Sequence, residues 1–330
     1  MDSRCCILSL VCFAAGCLLI SLWGASDAQP PSLDDVEVLR DVPFGKVNGR
    51  VLTMHIVRPK LTSSVAKPMP VIVWIHGGAW IGGNKDSGIP LLLPFARRGY
   101  FCASISYRFS KEAKFPAQIE DCKCAIRFLR AKAKEFNIDP ERIGVWGASA
   151  GGHLSAMLGT AGDVKEFEGS GGWEGFSSRV SAVCDWFGPS DLLAMVGEQS
   201  TIDRTGPNCP EALLIGGPLL ENKDKAVKAS PITYVTPDDP PFLIMHGDKD
   251  MVVPFSQSKR LFDALKKAGV EVTFVKLKGA GHGGRGFNSP QTMRLVTAFF
   301  DKHLKGDSSQ WKEIVGDNRF NEIEIDVEAR

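Results

Sequence analysis

Residues Arg142–Ala156 read RIGVWGASAGGHLSA, and the rest of the chain is organised around this stretch. A short apolar run, Ile143–Trp146, stops at Gly147, and Ser149 stands at the centre of Gly147-Ala148-Ser149-Ala150-Gly151. Apolar residues at helical spacing follow at Leu154, Met157 and Leu158. This order predicts a strand, a sharp turn and a helix. Small residues on either side of the serine let the backbone turn tightly, so the hydroxyl stands clear of the sheet at a helix N-terminus. With 34 glycines in 330 residues the G-x-S-x-G pattern is weak alone, and its context gives it meaning.

On both sides the chain alternates between strand and helix patterns. Val36–Val42 and Leu52–Val57 read as strands joined by a turn at Asn48-Gly49. Val71–Ile75 (VIVWI) is a fully apolar run of the kind buried on both faces of a parallel sheet. Tyr100–Ser106, Arg142–Trp146, Val180–Trp186, Phe242–Met245 and Glu271–Leu277 complete the set of strands. Pro90–Arg98, Pro116–Phe136, Phe255–Ala268 and Thr292–Leu304 read as helices. The expected architecture is α/β: a mostly parallel eight-stranded sheet with helices on both faces and an antiparallel edge at its start. Gly188–Ser230 is irregular and is expected to form a small inserted lid region over part of the site. In the charged C-terminal tail, residues 306–330, Phe320, Ile323, Ile325 and Val327 partly alternate with acids, as in an extra edge strand or an ordered tail.

At 44% hydrophobic and 23% charged residues, the chain is long enough for one large α/β domain, residues 29–330. A formal net charge of +1 gives no electrostatic reason to expect nucleic acid or a membrane surface as partner. Cys5–Trp23 is uncharged and apolar behind Arg4, and Ser26-Asp27-Ala28 places small residues before a cut at Gln29. Residues 1–28 are therefore expected to be a secretory signal peptide, giving a secreted or periplasmic protein, with an uncleaved anchor as the alternative. Four of nine cysteines would leave with it, and the odd remainder (Cys102, Cys122, Cys124, Cys184 and Cys209) makes no disulfide framework. Cys122 and Cys124, two apart on a helix, face different ways, so no metal is expected there.

A serine hydroxyl becomes a nucleophile when a base takes its proton, and a carboxylate can hold that base in the right tautomer. Of six histidines, His282 in GAGHGG is the best base, placed in a glycine-rich loop after the last strand pattern. His246 precedes a turn and is expected to support the acid. Asp250 and Asp248 both follow one strand in HGDKD, and spacing does not separate them. The oxyanion formed in hydrolysis needs donors: the Ala150 N–H, and others from His76-Gly77-Gly78-Ala79, where small side chains admit the substrate. In a parallel sheet, all these strand ends open on one edge.

Val36–Leu304 as a whole resembles an α/β-hydrolase-fold serine esterase, with the chain order Ser, Asp, His and an HGG segment after an early strand. HGGAW, GASAG, HGDKDMVVP and GAGHG resemble the hormone-sensitive-lipase-like branch. Within it they are most similar to secreted esterases related to bifunctional feruloyl and acetyl-xylan esterases. The resemblance implies Ser149, Asp250 and His282 as the triad, and Gly78, Ala79 and Ala150 as the oxyanion hole, with Gly77 in reserve. Many relatives have glycine where this chain has Ala79, which narrows the expected acceptance of bulky esters. No cofactor or metal is implied.

Trp80, Tyr107, Trp173 and Phe176 are the aromatic residues placed to line a substrate pocket. The expected activity is hydrolysis of a small or polysaccharide-linked carboxylic ester, including acetyl or feruloyl groups. Two alternatives remain: an amidase or arylformamidase with the same triad, and a hydrolase-fold binding protein without turnover. The amidase differs only in its leaving group, and the binding protein would typically lack a triad member.

Overall fold

The computed structural model describes residues 35–60 and 67–326; the expected signal segment and Val327 lie outside them. Strands β1 (Val36–Val47) and β2 (Arg50–Pro59) form a hairpin, and β3 (Met69–Ile75) and β4 (Phe101–Ile105) are buried along their whole length. They are followed by β5 (Ile138–Ala148), β6 (Ala182–Trp186), β7 (Phe242–Gly247), β8 (Val272–Lys278) and β9 (Phe320–Asp326). Side chains alternate across this sheet with period two. Val71, Val73, Ile75, Phe101, Ala103, Ile143 and Val145 enter one apolar layer, while Ile72, Trp74, Cys102 and Trp146 enter the other.

The first layer is closed by α2 (Ala117–Ala131), α4 (Ala150–Thr160) and α7 (Ser256–Ala268), which contribute Ile119, Leu154 and Leu261. The second is closed by α1 (Gly88–Arg97) and α8 (Pro290–Phe300), through Leu92, Phe95, Val296 and Phe299. Short helices α3 (Ala133–Phe136), α5 (Pro210–Ile215), α6 (Lys223–Lys228) and α9 (Ser309–Val315) complete the chain. The strand order is β1-β2-β4-β3-β5-β6-β7-β8-β9. β2 runs antiparallel to β1 and β4, and every other pair is parallel. The C-terminal ends of β3, β5, β7 and β8 therefore share one edge, which is where open α/β sheets bind ligands.

Two expectations are corrected. The sheet has nine strands rather than eight, because the charged tail adds β9 alongside β8, in register from Val272↔Phe320 to Lys278↔Asp326. Trp311 of α9 explains the return: it is buried and packs on Phe299 with ring centroids 5.7 Å apart. The long helix read over Pro116–Phe136 is two helices, broken at Lys132, whose backbone (φ −97°, ψ 11°) leaves the helical region.

Since Trp311 is nearly fully buried, Trp311→Ala should cost about 3–5 kcal/mol of stability by denaturant unfolding. A loss below about 1 kcal/mol would mean that the tail is not part of the core.

Candidate active site

At the end of β5 the chain makes a turn that only small residues allow. A side chain at Gly147 would meet the Gly151 carbonyl at 2.2 Å, and one at Gly151 would meet the Ile75 carbonyl at 2.0 Å. Between them Ser149 sits at φ 57°, ψ −120°, an uncommon conformation for a residue with a Cβ. Its N–H donates to the Trp186 carbonyl at 2.9 Å, and its carbonyl accepts from His153 N–H at 2.9 Å, so the turn is fixed from both sides.

The Ser149 hydroxyl lies 3.0 Å from His282 Nε2, and His282 Nδ1 lies 2.7 Å from Asp250 Oδ2. Asp250 Oδ1 accepts from the Val252 and Val253 amides at 2.8 and 3.0 Å. Burial pushes the Asp250 carboxyl up, yet hydrogen bonds from His246 and His282 outweigh it and hold the group well below the ordinary aspartate range. Of the two acids, Asp250 is the one that contacts His282. Asp248 Oδ1 instead accepts from the Gly279 amide at 2.7 Å, which tethers the start of the histidine loop.

The HGG segment lies against the serine turn. A Cβ on Gly77 would stand 2.8 Å from the Ala148 carbonyl and 3.4 Å from Ser149 Cβ. Gly78 has φ 120°, where a Cβ would lie 2.3 Å from the Gly82 carbonyl, and Ala79 follows at φ 56°. Ala150 opens α4 and is buried. The amides of Gly78, Ala79 and Ala150 thus belong to the two backbone segments that meet at Ser149.

Three of the four aromatic residues expected to line a pocket make other contacts. Tyr107 is buried, stacks on His76 with centroids 4.5 Å apart and donates its hydroxyl to the His76 carbonyl at 3.0 Å. Trp80 is buried too, and its indole N–H donates to His153 Nδ1 at 3.2 Å. Both brace the HGGAW loop from within. Trp173 donates to the Phe44 carbonyl at 2.6 Å and packs on Phe128, placing it against β1 and α2, while the Phe176 side chain is exposed.

Sequence reasoning missed the apolar surface that does flank the triad. A cleft of about 510 Å³ runs from Ala148, next to Ser149, to Gly283, next to His282, and is lined by Trp186, Phe187, Phe287 and Met293. Phe187 packs edge-on against the His282 ring, with centroids 4.6 Å apart. The available signal was position: Phe187 directly follows β6 at the same sheet edge.

The 188–230 segment, expected as a partial lid, is bonded to the acid loop. Arg204 donates to the Val252 carbonyl at 2.7 Å and to Glu211 Oε1 at 3.1 Å, and the Thr201 amide donates to the Met251 carbonyl at 2.6 Å. The insertion is a brace on Asp250's loop. Among the described residues no group of three or more His, Cys, Asp or Glu is placed to hold a metal ion, and the five cysteines are buried and unpaired.

Fold and site together define an α/β-hydrolase with a Ser-His-Asp arrangement. The chain belongs to the BD-FAE family, whose profile matches residues 54–265. It is 31% identical over 255 residues to Esterase LipC of Mycobacterium tuberculosis, covering 76% of this chain and 62% of that protein. It is 30% identical to the isoprenylcysteine alpha-carbonyl methylesterase of Arabidopsis thaliana, covering 84% and 62%. Among solved structures it is similar to a truncated carbohydrate esterase from gut microbiota (36% identity, TM-score 0.74, 84% of this chain and 100% of that one). It is also similar to butyrate-bound Est2 of Thermogutta terrifontis (29% identity, TM-score 0.66, 83% and 96%). The chain spans about three fifths of the length of these two curated relatives.

His153 carries a pH prediction. Its Nδ1 accepts from Trp80 and its Nε2–H donates to the Ala229 carbonyl at 2.7 Å, so the ring is held neutral; burial lowers its pKa to about 4. The unfolded chain takes up this proton near the ordinary value of 6.5 and the folded chain only near 4, so stability falls as pH drops through that window. The loss is on the order of 3 kcal/mol. His153→Gln lacks this titration, so its stability deficit against wild type should narrow between pH 7 and 4.5 in urea unfolding. A constant deficit would refute the buried neutral histidine.

Proposed function

We propose that the chain is a carboxylic-ester hydrolase that works through an acyl-enzyme on Ser149. The observation that carries this reading is the continuous line from Ser149 through His282 to Asp250 on a sterically enforced turn. Ser149 Oγ attacks the ester carbonyl carbon while its proton passes to His282 Nε2. Asp250 stabilises the imidazolium, and the Gly78, Ala79 and Ala150 amides receive the oxyanion, each such donor being worth about 10²–10³ in rate. As the C–O bond to the alcohol breaks, His282 protonates the leaving oxygen. Water, deprotonated by the same histidine, then releases the acid and restores the serine.

At finer grain, we propose a secreted enzyme acting on acyl groups, acetyl or feruloyl, carried by polysaccharides or small alcohols. The uncharged run Cys5–Trp23 supports secretion. Similarity to a carbohydrate esterase and to a bifunctional GH43-CE protein of Bacteroides eggerthii supports the substrate. N-terminal sequencing of exported protein should begin at Gln29; a chain retaining residues 1–28 would mean an anchor.

Purified protein should hydrolyse p-nitrophenyl acetate and butyrate, methyl ferulate and acetylated xylan in an order that names the ester. Ser149→Ala should lower kcat by about 10⁴-fold or more, and Asp250→Asn by about 10⁴-fold. Asp248→Asn should stay within about tenfold, since it does not touch His282. Turnover surviving in Ser149→Ala would overturn the serine mechanism. Turnover only of the matching anilides and formanilides would transfer the reading to an amidase.

A further inference from the structure

His246 lies near the end of β7, fully buried, and the mechanism above does not use it. Its Nε2 is 3.0 Å from the Val253 carbonyl and 3.3 Å from Asp250 Oδ2, and its Nδ1 is 2.7 Å from the Ser258 hydroxyl on α7. Both neighbours of Nε2 are acceptors, so that nitrogen carries a proton whatever the charge of the ring. Asp250 Oδ2 therefore accepts from His282 Nδ1 at 2.7 Å and faces, at 3.3 Å, the His246 Nε2–H that it shares with the Val253 carbonyl, while Oδ1 accepts from two backbone amides.

We infer that His246 is a positioning residue that sets the basicity of His282 through the oxygen they share. Each donor to Oδ2 takes up part of the carboxylate's charge, and what remains is available to stabilise the protonated His282. Withdrawing the His246 donor leaves Oδ2 more basic and free to rotate away from His282. The pKa of His282 then rises, and the alignment of the Ser149–His282 bond slackens.

Among the described residues His246 has no other ionic partner. From β8 its register neighbour is Lys276, whose ammonium is paired with Glu324 of β9. From beyond β6 comes Phe187, from the start of α7 Phe255, and from within α7 the neutral Ser258. Around His282 the facing groups are Asp250, Ser149 and Phe187.

The inference rests on the triad reading, and its test separates the two. In His246→Leu, kcat for p-nitrophenyl acetate should fall about 10- to 100-fold, as when an outer hydrogen-bond partner of a functional histidine is lost, with KM within about twofold. The acid limb of the kcat/KM profile should move up by about one pH unit. His246→Gln, which offers an amide N–H of similar reach, should return the limb most of the way. Ser258→Ala, which loosens the ring without removing the donor, should shift it by a smaller amount in the same direction. A ¹⁵N-histidine NMR titration of His282 in the same folded variants reads this pKa without turnover. Absence of ester hydrolysis in the wild type would therefore sink the proposed function and leave this test standing. A His282 titration unmoved in folded His246→Leu would overturn the inference, as would an equal shift in His246→Leu and His246→Gln.

Discussion

The active edge depends on how closely two backbone segments approach each other. The end of β3 and the serine turn meet with nothing between them: the Ile75 carbonyl occupies the space a Cβ at residue 151 would need, and the Ala148 carbonyl crowds the same position at Gly77. This contact fixes the distance between the HGG amides and the serine before any substrate arrives, which is the condition for an oxyanion hole to act without reorganisation. Three of the non-glycine residues held at positive φ, Ser149, Ala79 and Trp80, lie in these two segments. Each such residue costs on the order of 1–3 kcal/mol and persists only where its surroundings leave no alternative. Here the surroundings are the Tyr107 and Trp80 braces below and the Trp186 carbonyl beside Ser149.

A second constraint is electrostatic, and two aspartates at the same edge expose it. Asp185, at the end of β6, is fully buried; Oδ1 accepts from the Gly188 amide, and Oδ2 has no partner among the described residues. Burial raises its pKa to about 7, so it is a poor anion at neutral pH. Asp250 is also buried, yet two amides and two imidazoles surround it and its carboxyl moves the other way. Residue type and burial are shared; the number of donors decides the charge. Only the second arrangement can hold an imidazolium in place during catalysis.

Much of this was legible in the sequence, because the features concerned are local. Apolar runs and period-3.6 patterns marked eight strands and the main helices, and glycines marked the turns at Ser149 and His282, the first of which leaves no room for a Cβ. The tail was harder: Phe320, Ile323 and Ile325 alternate only partly, and what commits them to β9 is Trp311 docking on Phe299, a contact with no local signature. Two of the residues expected to touch substrate turn inward for a related reason. Trp80 and Tyr107 lie beside the motifs in sequence, but aromatic rings next to a tight loop are needed to support it, and these two point inward. Phe187, which flanks His282, and Phe287, which lines the cleft, sit in stretches that read as a buried strand end and a loop.

The three triad residues come from three different loops, and each loop is held by a different kind of force. Steric exclusion holds the serine turn. A hydrogen bond from the Gly279 amide to Asp248 holds the root of the histidine loop, which explains an acid that lies so near Asp250 in sequence and does different work. The acid loop is held by the insertion, through the buried Arg204–Glu211 pair and the Val252 carbonyl, and by His246 from the opposite side. A buried ion pair of this kind adds little net stability, because desolvation offsets its attraction, so its effect lies in fixing geometry. It follows that the 188–230 segment belongs to the catalytic scaffold. Substitutions there act on the alignment of Ser149, His282 and Asp250, whereas those along the Phe287–Met293 cleft act on the apolar surface beside them.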